Sequence, residues 1–221
     1  MQTEGRSLLA AVEAGGTTWV CALAWGDDLG NPFNRFEVET ATNPSDTIGK
    51  VKGWLREQVK DREIAAVGVA SFGPIDPRRS SPTYGFITST PKPGWKNTDI
   101  IGGLGLKEGG EFAEIPHLFD TDVNAPAFAE FIHDKRLQDR NAAEGKPTTA
   151  LTSSAYVTVG TGVGGGLVVN GKTVSGLLHP EAGHIPVRRI DGDAYSGCCP
   201  FHASCLEGMV CSKALGERAV R

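Results

Sequence analysis

A strand, a glycine-rich turn and a second strand occur twice in this chain, and that repetition limits the fold more than any other feature. Leu8-Leu9-Ala10-Ala11-Val12 runs through Glu13-Ala14-Gly15-Gly16-Thr17-Thr18 into the apolar Val20-Cys21-Ala22-Leu23-Ala24. Much later, Tyr156-Val157-Thr158-Val159 runs through Gly160-Thr161-Gly162-Val163-Gly164-Gly165-Gly166 into Leu167-Val168-Val169-Asn170-Gly171. Each reads as a β-hairpin whose tip presents backbone N–H groups. Two such units predict two similar lobes facing one another.

Between the hairpins, strand and helix signals alternate. Arg35 to Thr40 reads as a strand, and Ser45 to Lys60 as a helix with a Ser/Asp start and Ile48, Val51, Leu55 and Val59 at helical spacing. Ile64 to Ala70 is an apolar run of the kind buried in a parallel sheet. His117 to Asp120 reads as a strand end and Ala125 to His133 as a helix, so the architecture is α/β. The stretch 135–154 is charged, then contains Pro, Thr and Ser without apolar periodicity, and reads as an inter-lobe loop. It divides the chain into an N-terminal α/β lobe, 1–134, and a C-terminal lobe, 155–221.

A chain of 221 residues can bury one large core or two small ones. A formal net charge of −4 gives no electrostatic reason to expect nucleic acid, so small anions would be held by local groups. No apolar run is long enough to cross a bilayer, and Leu8 follows a short polar start rather than a basic region with a cleavable apolar stretch. The expectation is a cytoplasmic protein with no membrane or nucleic-acid partner. Of five cysteines, four lie between Cys198 and Cys211, which points to metal chemistry in a reducing compartment rather than to a disulfide framework.

Cys199, His202 and Cys205 form a C-x₂-H-x₂-C turn that supplies three zinc ligands from one loop, and His184 is the nearest fourth. Cys198 would replace Cys199 if the loop were shifted by one residue. Four protein ligands leave no open position to activate water, so this zinc would be structural.

Gly160-x-Gly162-x-x-Gly165 formally matches a dinucleotide-binding expression, but a strand follows it where that motif must open a helix. No P-loop sequence is present. What remains is a tip with five glycines in seven residues, where phosphate oxygens can approach N–H groups directly. Gly15-Gly16-Thr17 fits that role and a plain tight turn equally well.

Six segments in order resemble the ROK family of sugar kinases, in its fructokinase branch. They are Glu13-Ala14-Gly15-Gly16-Thr17, Ser71-Phe72-Gly73-Pro74-Ile75-Asp76, the run from Tyr84 to Trp95, Asp120-Thr121-Asp122-Val123-Asn124-Ala125, the run from Gly160 to Gly166, and His179-Pro180-Glu181-Ala182-Gly183-His184. The resemblance implies an actin-like ATPase fold of the ribonuclease H type, with two lobes around a cleft. It also implies ATP-dependent phosphorylation of fructose or a related hexose, at the 6-hydroxyl for fructose. Asp122 is then the general base, with an N-cap for the following helix as its competing role. Gly73, Pro74, Asn124, Glu181 and His184 would meet the sugar, so His184 has two readings. Gly15, Gly16, Thr17, Gly160, Thr161, Gly162 and Gly164 would meet ATP. Mg²⁺ would arrive with the nucleotide, with Glu13 as a water-mediated contact. Thr18 stands where a lysine is frequent in the family.

Members of the family continue well past the cysteine cluster, so the second lobe is expected to be incomplete and to expose apolar surface. The alternative to a working kinase is a non-catalytic sugar- and zinc-binding remnant or fragment. A repressor of the same family is disfavoured, since no helix-turn-helix precedes Leu8. A homodimer is among the expected partners, relatives being commonly dimeric.

Overall fold

The computed structural model describes residues 6–175 and 181–220. It divides into two compact units, Met1–Asp122 and Val123–Arg221. The division lies between Asp122 and Val123, against an expected lobe boundary at 134.

The first unit is built on a five-stranded sheet. Strands β1 (Leu8–Ala14), β2 (Thr18–Trp25) and β3 (Asp28–Glu39) form an antiparallel meander, and β4 (Ile64–Ser71) and β7 (His117–Thr121) extend it in parallel, in the order β3-β2-β1-β4-β7. Period-two burial along β1 sends Leu8, Ala10, Val12 and Ala14 inward and leaves Ala11 and Glu13 exposed. Helix α1 (Pro44–Lys60) covers the inward face. Asn43 caps it by accepting from the Ser45 N–H at 3.3 Å, and Pro44 presets the first turn. Ile48, Val51 and Leu55 are buried from it, and a short helix α2 (Ile100–Leu104) packs beside it. Trp95 closes this core: its Nε1 donates to the Ala41 carbonyl at 2.8 Å, and its ring lies 5.6 Å from Trp19 and 5.4 Å from Phe72. The outward face carries small apolar groups, and Leu9, Ala22, Ala24, Ala66 and Leu118 help line an open cavity of about 380 Å³.

After β4 the chain makes a loop that ends in the short pair β5 (Phe86–Ile87) and β6 (Thr98–Asp99). Asp76 organises that loop from a position only 3% exposed. Its carboxylate accepts from Arg78 Nε and Nη2 at 2.9 Å each, from the Arg78 N–H at 3.1 Å, from Thr83 Oγ1 at 2.7 Å and from Ser81 Oγ. The Arg78 guanidinium, helped by the two hydroxyls against the opposing effect of burial, holds this carboxyl well below the usual carboxylate range. Asp76→Ala is expected to lower unfolding free energy by about 2–3 kcal/mol, less than for a fully buried pair because Arg78 is half exposed and can be rehydrated. The folded-state value is depressed, so the contribution is complete above the ordinary aspartate value of 3.8 and is lost as pH falls below it. Acid denaturation monitored in both proteins checks this: the difference between them should shrink below that pH.

The second unit packs helix α3 (Asn124–Ala143) on an antiparallel sheet of β8 (Ser153–Val159), β9 (Val163–Val169) and β10 (Lys172–Thr173), in the order β10-β9-β8. Ala127, Phe131 and Val168 form its small core. The expected loop at 135–154 is helix as far as Ala143. That stretch lacks apolar periodicity because it meets solvent; good helix formers and a Lys135–Asp139 pair one turn apart sustain it instead. A 3-10 turn (Ala182–His184) and helices α4 (Leu206–Val210) and α5 (Ser212–Ala219) complete the unit around Val163, Tyr195, Met209, Cys211 and Ala214. Val157 and Val159 of β8 and Val169 of β9 are exposed, in keeping with the apolar surface expected there. Among the described residues no helix is long and apolar enough to cross a membrane.

Candidate functional site

In the first unit, strand register assembles three of the sequence-predicted segments. Ala14 pairs with Ser71, and Ser71 pairs with Thr121, so β1, β4 and β7 end side by side. The ladder runs one step further, with the Phe72 N–H donating to Ala14 O at 2.8 Å and the Asp122 N–H to Ser71 O at 2.9 Å. The Gly15 turn, the Gly73-Pro74 turn and Asp122 thus emerge from adjacent strands at their carboxyl ends, within about 10 Å of one another at sheet spacing.

The Gly15 N–H donates to Thr18 O at 3.2 Å, and the Gly15 carbonyl accepts from Thr40 Oγ1 at 2.7 Å. A Cβ on Gly15 would lie 2.6 Å from Thr18 O, whereas Gly16 has nothing within 4 Å of that position. Gly15 therefore makes the turn, and the space beside Gly16 is open. Gly73-Pro74 is a cis peptide, and the Pro74 carbonyl accepts from Thr88 N at 2.8 Å and Thr88 Oγ1 at 3.1 Å. Glu13 is exposed near the carboxyl end of β1. Val123 stands at the N-cap of α3 with no side-chain capping bond of its own.

In the second unit the glycine run divides into two parts. Val159 pairs with Val163, so the tip is Gly160-Thr161-Gly162 alone, while Gly164, Gly165 and Gly166 lie within β9. Gly164 was expected at the tip; it is a strand residue, and a Cβ there would lie 2.8 Å from the Val123 side chain. A Cβ on Gly166 would lie 2.0 Å from the Val123 carbonyl, so these glycines let the start of α3 approach the strand. The tip is pinned by a residue that sequence reasoning did not single out: Glu207 Oε2 accepts the Val163 N–H at 3.0 Å. Glu207 lay in the cysteine cluster's sequence, but nothing in its spacing pointed to the glycine turn. Asn124 is buried, donating through Nδ2 to Val174 O at 3.2 Å and accepting the Leu167 N–H at 3.4 Å. Glu181 is exposed and opens the 3-10 turn that carries His184, whereas His179 and Pro180 lie outside the described residues.

His184, Cys199, His202 and Cys205 converge. Their ligand atoms all lie within 4.8 Å of one another, and His184 Nδ1 is 3.7 Å from both Cys199 Sγ and Cys205 Sγ. Ligands at ordinary Zn–N and Zn–S lengths in a tetrahedron stand about 3.6 Å apart, so the donor set fits zinc. The N–H groups of Phe201 and His202 donate to Cys199 Sγ at 3.4 Å each, and that of Gly208 to Cys205 Sγ at 3.3 Å, which fixes the direction of both sulfurs. Cys198 does not join the cluster; its sulfur faces Cys211, 3.5 Å away. The loop is tight: Gly197 has φ +91°, and a Cβ there would lie 1.5 Å from the Ala203 carbonyl. The fifth cysteine, Cys21, is buried in the first unit, and burial pushes its thiol up to about 12.

Comparison with known proteins gives consistent results. The model of a family described as the ROK family matches residues 9–221. The fructokinase of Lactococcus lactis subsp. cremoris is 40% identical over 209 residues, 94% of this chain and 63% of that protein. A protein of Bacillus subtilis (strain 168) named as a putative fructokinase is 39% identical over 211 residues, 96% of this chain and 62% of its own length. The chain thus spans a little under two thirds of these curated relatives. Among solved structures, a ROK family glucokinase from Streptomyces griseus, in complex with glucose and AMPPNP, superposes with a TM-score of 0.65 at 21% identity, over 97% of this chain and 60% of that one. A ROK hexokinase from Thermus thermophilus gives 0.64 at 24% identity, over 96% and 63%. These two likenesses bear on the fold, which is the α/β, actin-like ATPase arrangement expected from the sequence, of which the chain holds part.

Proposed function

The chain belongs to the ROK family, and from that premise we propose that it is the larger part of an ATP-dependent sugar kinase whose acceptor is fructose. The observation that carries the proposal is the strand register: the Gly15 turn, the Gly73-Pro74 turn and Asp122 leave three neighbouring strands at the same end. The identity to fructokinases supports the choice of sugar.

Phosphoryl transfer asks little covalent chemistry of the protein; it asks for positioning and for a group that receives the hydroxyl proton. In the proposed reaction the fructose 6-hydroxyl oxygen bonds to the γ-phosphorus of ATP as the bridge to the β-phosphate breaks, and ADP leaves. Asp122 takes the hydroxyl proton. Gly73, Pro74, Asn124, Glu181 and His184 are assigned to the sugar, whose vicinal hydroxyls suit planar amide, carboxylate and carbonyl partners. Gly15, Gly16, Thr17, Gly160, Thr161 and Gly162 are assigned to phosphate oxygens through backbone N–H groups. Glu13, an exposed hard oxygen donor, is the residue that would reach the hydration shell of a nucleotide-borne Mg²⁺, which would supply charge neutralisation on the phosphates. His184, Cys199, His202 and Cys205 are the residues that would hold a structural zinc, and His184 Nδ1 faces the two sulfurs.

The test is ADP release by the purified chain with Mg-ATP and fructose, glucose or mannose. Turnover highest with fructose supports the proposal. A folded chain that binds fructose without turnover would favour the second reading, a sugar-binding part of a kinase, which rests on the chain's spanning 63% of its Lactococcus relative.

A further inference from the structure

Two cysteines in the second unit lie outside the metal cluster and face each other. Cys198 Sγ and Cys211 Sγ are 3.5 Å apart, and both thiols are free. A disulfide bond is about 2.05 Å long, so closure needs the two sulfurs to approach by about 1.5 Å. The two differ in access. Cys211 is 3% exposed inside the cluster of Val163, Tyr195, Met209 and Ala214, whereas Cys198 is half buried at its edge. Cys198 is therefore the more accessible of the two residues, and Cys211 lies deeper. The remaining two cysteines of this unit, Cys199 and Cys205, are turned toward His184 and are held there by backbone N–H donors. Adjacent in sequence, Cys198 and Cys199 thus point to different partners.

We propose that Cys198 and Cys211 are a thiol–disulfide exchange site for low-molecular-weight disulfides, distinct from the four metal-binding groups. The reaction balances with glutathione disulfide as the oxidant. The Cys198 sulfur attacks one glutathione sulfur, the S–S bond breaks, and one glutathione leaves with the proton lost from Cys198. The Cys211 sulfur then attacks the Cys198 sulfur of the mixed disulfide, and the second glutathione leaves with the proton lost from Cys211. Two electrons pass from the cysteine pair to glutathione disulfide, and reduced glutathione in excess reverses both steps. The closed bond joins the residue before metal ligand Cys199 to the residue that caps α5. Ser212, next in the chain, donates its N–H to Gly160 O at 2.7 Å, so the same bond ties the metal loop to the base of the glycine tip.

The experiment treats the zinc-loaded chain with glutathione disulfide, quenches it with an alkylating agent and maps linkages by peptide mass spectrometry. The expected product has lost two hydrogens and carries a single Cys198–Cys211 link. Cys211→Ser should stop at a glutathione adduct on Cys198, and Cys198→Ser should acquire no adduct on Cys211. A Cys198–Cys199 or Cys199–Cys205 link as the main product, a glutathione adduct on Cys198 that persists in the unsubstituted chain, or no reaction would each overturn the proposal. The map of the unsubstituted chain decides the matter even where a variant fails to fold.

Discussion

Asp122→Asn is expected to lower fructose-dependent ADP release by about 10²–10⁴-fold while leaving fructose affinity within a few fold. The substitution keeps the side chain's shape and its place after β7 but removes the proton acceptor. It therefore acts on the step in which the hydroxyl proton must go somewhere and leaves the ground-state contacts alone. In kinetic terms kcat and kcat/KM should fall together with KM little changed, which is the pattern of an interaction made only in the transition state. The measurement is a coupled ADP assay on both proteins, with fructose binding followed separately by calorimetry. Loss of binding in parallel with turnover would show that Asp122 acts by capping or holding the segment before α3, and the base would have to be sought elsewhere. Unchanged turnover would remove Asp122 from the chemistry altogether.

How much of this site the sequence disclosed depends on the range of the interactions that fix each part. The β1–β2 hairpin and α1 are local: alternation in Leu8 to Val12 and the Ile48, Val51 and Leu55 spacing are properties of short windows, and both elements form where expected. The convergence of His184, Cys199, His202 and Cys205 was equally legible, since a C-x₂-H-x₂-C turn brings three of these side chains together by itself, and only the choice between Cys198 and Cys199 needed the loop's conformation. Register between β1, β4 and β7 was not legible, because it depends on pairing between residues far apart in the chain. The glycines of β9 misled for a related reason. Gly164 and Gly166 read as turn residues, yet they are small because Val123 packs against them, a contact with no local signature. Residues 135–143 misled in the opposite direction, as a solvent-facing stretch of helix has no apolar stripe to reveal it.

Removal of zinc is expected to unfold much of the second unit. Its interior is small: one cluster centres on Ala127, Phe131 and Val168, and another on Val163, Tyr195, Met209, Cys211 and Ala214. The loop from Gly197 to Cys205 has little regular structure and is shaped by the N–H bonds to Cys199 and Cys205 and by convergence on His184. A metal that binds only the folded loop adds its binding free energy to folding, about 10–16 kcal/mol in isolated zinc-finger peptides. Even a loss of about 3 kcal/mol would lower the Tm of a unit this size by more than about 12 °C. The first unit, with its own core of Trp19, Leu55 and Trp95, should melt unchanged, so calorimetry should show one transition shifted and one retained. Cys199→Ser and His184→Ala should abolish stoichiometric zinc and reproduce the shift in the absence of chelator. Cys198→Ser should keep both the zinc and the higher Tm, since that sulfur faces Cys211. If zinc were lost from Cys198→Ser and kept by Cys199→Ser, the loop would be shifted by one residue. If no variant affected either quantity, the cluster would not be a metal site.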